Sequence, residues 1–111
     1  MPFGTPRFVQ LNSDSGWLTI STPYEPIKYR KSGKIVEFYF WNDKTIPIST
    51  DIATIPDGYR PSIPSYPNMI FISDAYGGGG RIVITNEGIV TSGTEISGSA
   101  WSFFMATWIC D

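Results

Sequence analysis

The chain contains no histidine and a single cysteine, Cys110. The first absence removes the usual general base near neutral pH and the commonest metal ligand, so nucleophilic triads fail although serine and threonine are plentiful. The second excludes an intrachain disulfide and a thiolate metal cluster, leaving Cys110 as a strand-end or tail thiol. Charge is sparse: eight Lys and Arg stand against ten Asp and Glu, with no basic cluster beyond Lys28, Arg30, Lys31 and Lys34. Neutralising phosphates needs a more concentrated basic surface, so nucleic acid is not an expected partner. No run approaches the roughly 18 apolar residues of a membrane span, and the N-terminus lacks a signal-peptide pattern. Neither membrane insertion nor that route of secretion is expected. Helical apolar period with capping signals is also missing throughout.

What is present is aromatic. Phe, Trp and Tyr make up 15% of the chain against 16% for all charged residues, which argues against disorder and for a well-filled core or an extensive interface. A chain of 111 residues has the size of one domain. Residues 1–6, with two prolines and a glycine, read as an entry segment, and 7–111 as a single domain. Prolines and glycines divide the latter into about eight or nine short strands, the pattern of an all-β antiparallel sandwich or a jelly-roll-like barrel.

Several strands are legible individually. Residues 7–12 alternate in the strand manner. Residues 12–16, Asn-Ser-Asp-Ser-Gly, loosely resemble a calcium loop, but the later bidentate glutamate is missing and an Asx turn is favoured. A short strand follows at 17–21. Residues 27–31 and 34–41 form a hairpin through Ser32-Gly33. In its second strand Val36, Phe38 and Phe40 point one way and Ile35, Tyr39 and Trp41 the other, with Glu37 the polar exception. Residues 81–85 and 89–91 form a second hairpin around Asn86-Glu87-Gly88. The closing strand, 101–109, puts Trp101, Phe103, Met105 and Ile109 on one face and Phe104, Ala106 and Trp108 on the other. A strand apolar on both faces is either central to a layered structure or packed against another subunit. Ile35, Tyr39, Phe104 and Trp108 are therefore candidate oligomer-interface residues.

Chemistry offers less. Glycoside hydrolysis needs two facing carboxylates, but most acidic residues here sit at turns, where backbone demands explain them, and no catalytic residue is expected. The glycine run at 77–80 leads into a strand rather than a helix and lacks a P-loop lysine, so it reads as a flexible hairpin tip and not a nucleotide cradle. No cofactor or metal is implied. Carbohydrate binding, by contrast, sets an aromatic ring beside carboxylates, amides or arginine. Trp41-Asn42-Asp43 and Asp74-Ala75-Tyr76 have that composition, and Arg60 adds a guanidinium. Trp41, Asn42, Asp43, Arg60, Asp74 and Tyr76 are thus candidate ligand contacts, the structural alternative being core or corner packing.

The middle of the chain carries its most distinctive stretch, residues 52–61, Ile-Ala-Thr-Ile-Pro-Asp-Gly-Tyr-Arg-Pro. Ile52 and Ile55 anchor it, Pro56 ends the preceding strand, Asp57-Gly58 turns, and Pro61 keeps Arg60 extended. Together with the basic hairpin 29–36, the hairpin 81–90 and the aromatic strand 101–108, this corner resembles the C-terminal head domains of tail-fibre and baseplate proteins from phages of Gram-positive bacteria. The resemblance implies a compact β-sandwich, a homotrimer about a threefold axis, and an outer surface that binds host cell-wall polysaccharide or another surface glycan without catalysis. It also implies a virion location, extracellular after release, and other tail or baseplate proteins as partners. The shaft that precedes such heads is missing from the sequence, which suggests an excised domain or a separate small subunit. Two alternatives stand beside this reading: a structural subunit that joins virion components without touching the host, and a fragment of a polysaccharide depolymerase.

Overall fold

A computed structural model describes residues 14–63 and 68–110. Among them are eight strands: β1 (Leu18–Ile20), β2 (Ile27–Ser32), β3 (Ile35–Asn42), β4 (Asp51–Thr54), β5 (Met69–Ser73), β6 (Arg81–Thr85), β7 (Ile89–Ser92) and β8 (Ser102–Ile109). They form two four-stranded antiparallel sheets, ordered β1-β2-β3-β8 and β4-β7-β6-β5. The described residues contain no helix, so the all-β expectation holds. The strand expected at 7–12 lies outside the described residues, as do residues 64–67.

The hairpins follow from their turn residues. Ser32 faces Ile35, so the β2–β3 loop is Gly33-Lys34, one residue later than the sequence suggested, and Gly33 supplies the positive φ of 61° that a two-residue turn demands. In the β6–β7 loop Gly88 takes φ 86° and its N–H donates to the Thr85 carbonyl at 2.9 Å, closing a three-residue turn.

One core lies between the sheets. Ile27, Val36, Phe38, Phe40, Phe104 and Trp108 of the first sheet meet Ile52, Ile72, Ile82, Ile84 and Val90 of the second. Each fully buried large apolar side chain contributes about 1.5–3 kcal/mol. This placement corrects one expectation. Phe104 and Trp108 are not at an oligomer interface but inside the core, because β8 pairs with β3 in a register that sets Phe104 opposite Phe40 and Trp108 opposite Val36 on the inner face. Ile35 and Tyr39 belong to the outer face. Alternation tells which residues share a face; where both faces are apolar it does not tell which one is inside.

The two sheets are joined by one long antiparallel ribbon. β3 pairs with β8 from Ile35↔Ile109 to Asn42↔Ser102, the crossovers that follow pair at Ile46↔Ile96, and β4 then pairs with β7 from Asp51↔Thr91. Unbroken continuation of the first register would set Ile46 against Gly98, two residues past its actual partner Ile96. At that slip Gly98 donates its N–H to Thr45 Oγ1 at 3.0 Å, and a Cβ at Gly98 would stand 2.5 Å from the Thr45 nitrogen. Only glycine fits. Ser92, buried, completes the crossing: its hydroxyl donates to the Pro47 carbonyl at 2.6 Å and accepts the Thr50 N–H at 2.8 Å.

The corner at 52–61 ties both sheets at the far end of β3. Ile55 N–H donates to the Gly88 carbonyl at 2.8 Å, which reaches the second sheet, and the Trp108 indole N–H donates to the Tyr59 carbonyl at 2.8 Å, which reaches the first. The Tyr59 ring stands edge-on to Tyr29, centroids 5.2 Å apart. Ile52 and Ile55 are buried, as the sequence required of anchors.

Candidate functional site

The outer face of the first sheet is built by cross-strand pairing. On β2, Lys28 stands between Thr19 of β1 and Tyr39 of β3; on β3, Tyr39 and Trp41 stand opposite Met105 and Phe103 of β8. The result is a continuous row of rings. Trp17 lies 5.3 Å from Tyr39, Tyr39 stacks on Phe103 at 6.1 Å, and Phe103 stacks on Trp41 at 4.4 Å. Tyr76 and Trp101 then flank Trp41 edge-on at 5.7 and 6.1 Å. Each such pair contributes about 0.5–1.5 kcal/mol beyond its area, so the row is rigid. It is also open: Trp17 is 52% exposed, Trp41 45%, Tyr76 58% and Trp101 49%.

Asp74 fixes the far end of this row. Its Oδ1 accepts the N–H groups of both Tyr76 (2.9 Å) and Phe103 (3.0 Å), and its Oδ2 accepts that of Gly78 (3.2 Å). The Ala75 N–H donates to the Phe103 carbonyl at 2.7 Å. Burial pushes the Asp74 pKa up, but the N–H groups of Phe103, Tyr76 and Gly78 and the Ser102 hydroxyl outweigh it and hold the carboxyl below its ordinary value. The glycine-rich loop is therefore not a loose hairpin tip: a buried carboxylate organises it and docks it on β8.

At the other end, Arg30 lies with its guanidinium 4.8 Å from the Trp17 ring centre, held by Glu37 through Nε (2.9 Å) and Nη2 (2.7 Å). Trp17, Lys28, Tyr39 and Trp41 border a shallow, open, largely apolar depression of about 400 Å³. Lys28 donates to the Thr19 hydroxyl at 2.9 Å and has no carboxylate within ion-pair distance among the described residues.

The sequence candidates divide accordingly. Trp41 and Tyr76, from separate motifs, meet in the ring row. Asp43 sits exposed beside it, 3.5 Å from Lys44, which is also paired with Glu25. Asn42 faces inward and is 0% exposed; its Nδ2 donates to the Lys44 carbonyl at 2.5 Å while Oδ1 has no partner. Asp74 holds backbone rather than facing solvent. Arg60 lies away at the corner, donating Nε to the Ile55 carbonyl at 2.8 Å and packing on Gly88. Trp17, Lys28, Phe103 and Trp101 were missed as site residues; only the pairing of β3 with β8, which no local signal encodes, brings the last two to Trp41. In the turn cluster at 12–16, Asn12 and Ser13 lie outside the described residues, and Asp14 Oδ1 accepts the Gly16 N–H at 2.8 Å as an Asx turn does. Among the described residues no three acidic or thiol side chains converge as metal ligands. In comparisons with known proteins, no family model matches the chain, and no curated protein matches it significantly.

Proposed function

We propose that this domain is a non-catalytic, saccharide-binding head of a phage tail or baseplate protein, and that the outer aromatic face of β3 and β8 is its binding platform. The observation that carries the reading is the open row of six rings, pre-stacked and braced by Asp74. A folded monomer has no use for four half-exposed aromatic side chains on one face, and the apolar face of a sugar ring complements them. Asp14, Glu25, Glu37, Asp51 and Asp74 are each committed to a local hydrogen bond or ion pair, which favours binding over acid–base work. The setting on a virion, with host cell-wall glycan as target, rests on the resemblance of the hairpins, corner and closing strand. The ribbon from β3–β8 into β4–β7 and the Greek-key order β4-β7-β6-β5 are features that a jelly-roll-like head shares. Homotrimerisation fits the energetics: a single shallow site of about millimolar strength corresponds to roughly −4 kcal/mol, and three linked sites raise avidity by about 10² to 10⁴.

The test is binding of purified protein to host cells and to isolated wall polysaccharide, with Trp41→Ala as the control. Binding that the substitution removes supports the reading; a folded oligomer that binds neither cells nor polysaccharide overturns it. A second reading has its own support. Ile35, Met105 and Ile109 are 49%, 53% and 63% exposed on the same face, an aliphatic patch suited to protein contact, as in a subunit that joins virion components. Sedimentation separates the two: loss of assembly in Ile109→Asp with glycan binding retained assigns the patch to subunits and the rings to sugar.

A further inference from the structure

We infer that the edge of β5 is a pairing surface for a second copy of this chain, joined by an isologous two-fold contact that makes one eight-stranded sheet from two four-stranded ones. The ring row takes no part in it, since it lies on the other sheet. Four strands end the two sheets, β1 and β8 in the first and β4 and β5 in the second. An edge strand offers unpaired N–H and C=O groups to any other chain, and proteins guard it by shortness, charge, proline, a bulge or a covering loop.

Three of the four edges carry such guards. β1 is only three residues long. β4 opens on the charged Asp51, shifts register between Asp51 and Ala53, and is followed by Pro56. β8 is covered at both ends: Asp74 Oδ1 accepts the Phe103 N–H at 3.0 Å, the Phe103 carbonyl accepts the Ala75 N–H at 2.7 Å, and the Ile109 carbonyl accepts the Ser62 N–H at 2.9 Å. β5 has no guard of its own. Its sequence, Met-Ile-Phe-Ile-Ser, contains no charge, proline or glycine, and it pairs with β6 without a slip from Met69↔Thr85 to Ser73↔Arg81.

The free groups of β5 are fixed by its ladder. The Asn86 N–H donates to the Asn68 carbonyl and the Asp74 N–H to the Gly80 carbonyl, each at 2.9 Å. In an antiparallel pair the even-numbered residues of β5 therefore bond to β6, and the odd-numbered Met69, Phe71 and Ser73 turn their N–H and C=O outward. Among the described residues no strand pairs with them on that side. The outward set is symmetric about Phe71. A second β5 running antiparallel, with the two-fold axis at Phe71, sets Phe71 against its own copy and Met69 against Ser73, so every outward N–H meets an outward C=O. An unrelated strand would need a matching run; a second β5 supplies one by symmetry. The side chains agree. Phe71, 60% exposed, meets the same ring of the second copy, and Val83, its neighbour on β6, extends the apolar surface on each side of the axis. Charge does not oppose the contact, because β5 carries none and Arg81, opposite Ser73, falls at the two far ends of the paired strands. Such a contact joins one copy to another whether each stands alone or within a trimer.

The experiment is sedimentation of the full chain over a range of concentrations, wild type beside Phe71→Lys and Ser73→Pro, with circular dichroism to confirm that both variants are folded. Phe71→Lys sets like charges opposite each other on the axis, and Ser73→Pro removes an outward N–H that the bond to β6 does not use. The wild type is expected to reach twice the mass of either variant. The concentration at which it associates should rise at least about tenfold in each, because every substitution acts twice across the axis. Hydrogen exchange gives a second readout: the Phe71 and Ser73 amides should be protected in the concentrated wild type and exchange quickly on dilution and in Phe71→Lys. If Ser73→Pro does not fold, Phe71→Lys and the exchange data decide. A wild type that keeps the mass of Phe71→Lys at every concentration overturns the inference. Protection that persists on dilution also overturns it, since the edge would then be covered by the chain itself.

Discussion

The two sheets are alike on the inside and unlike on the outside. Their inner faces supply Phe38, Phe40 and Phe104 on one side and Ile52, Ile72, Ile82, Ile84 and Val90 on the other to one core. Outside, the first sheet shows the ring row, while the second mixes polar Asp51, Ser73, Arg81, Thr85 and Thr91 with aliphatic Val83 and Ile89, the Thr91 hydroxyl donating to Asp51 at 2.8 Å. Phe71, 60% exposed, is the one aromatic ring on the outward side of these four strands. Burial explains the inner residues of both sheets, and β-propensity is met equally well by threonine or by tryptophan. Core burial therefore does not account for the aromatic composition of the outer face, although its ring pairs add to the stability of the sheet.

Substitutions that separate inside from outside should have the largest effect. Phe104→Ala should lower stability by about 3–5 kcal/mol in denaturant unfolding, whereas Trp101→Ala should change it by no more than about 1 kcal/mol; similar losses would erase the distinction. Gly88→Ala comes next. Its Cβ would meet the Ile55 carbonyl at 2.5 Å with φ at 86°, and a loss of about 1–3 kcal/mol is expected, larger than that for Gly33→Ala, where the added Cβ meets nothing within 4 Å.

Asp74→Asn should lower stability by about 1–3 kcal/mol and alter the fluorescence of the ring row by releasing Tyr76 and Phe103. The effect has a pH signature. Because folding lowers the Asp74 pKa, the stabilisation is complete above the unfolded-state value of about 3.9 and is lost as pH falls through the lower folded-state value. The gap between wild type and Asp74→Asn should therefore be constant near neutrality and close below about pH 4. Trp41→Ala removes three ring contacts and should cost about 1–3 kcal/mol as well as abolish glycan binding, while Phe71→Ala on the opposite sheet should have the smallest effect on stability, within about 1 kcal/mol, and leave binding intact.

Much of this fold could be read in advance because local rules decide it. Glycine at 33 and 88 marks the two hairpins, alternation assigns Val36, Phe38 and Phe40 to one face, and Ile52 and Ile55 anchor the corner. The site was half legible for the same reason. Trp41 and Tyr76 stood out by composition, and Asn42 was misjudged because composition ignores the pleat that turns it inward next to an outward Trp41. Arg60 carried the right functional group in a place where Ile55 and Gly88 already use it. Phe104 and Trp108 could not be sorted from Phe103 and Met105, since β8 is apolar on both faces and its partner, β3, lies far away in sequence.

That distance also bears on time. The hairpins β2–β3 and β6–β7 close over short loops and should form first, but every rung of the ribbon, from Thr54↔Ile89 through Ile46↔Ile96 to Ile35↔Ile109, needs a long loop closed before it returns any contact. Chains dominated by such pairing fold in about milliseconds to seconds. The ring row lies on the β3–β8 rungs Tyr39↔Met105 and Trp41↔Phe103, because Trp41 and Phe103 stack only when β8 has docked on β3. In a stopped-flow refolding experiment the tryptophan signal of the row should therefore appear in the slowest phase, and the ability to bind should arrive with it.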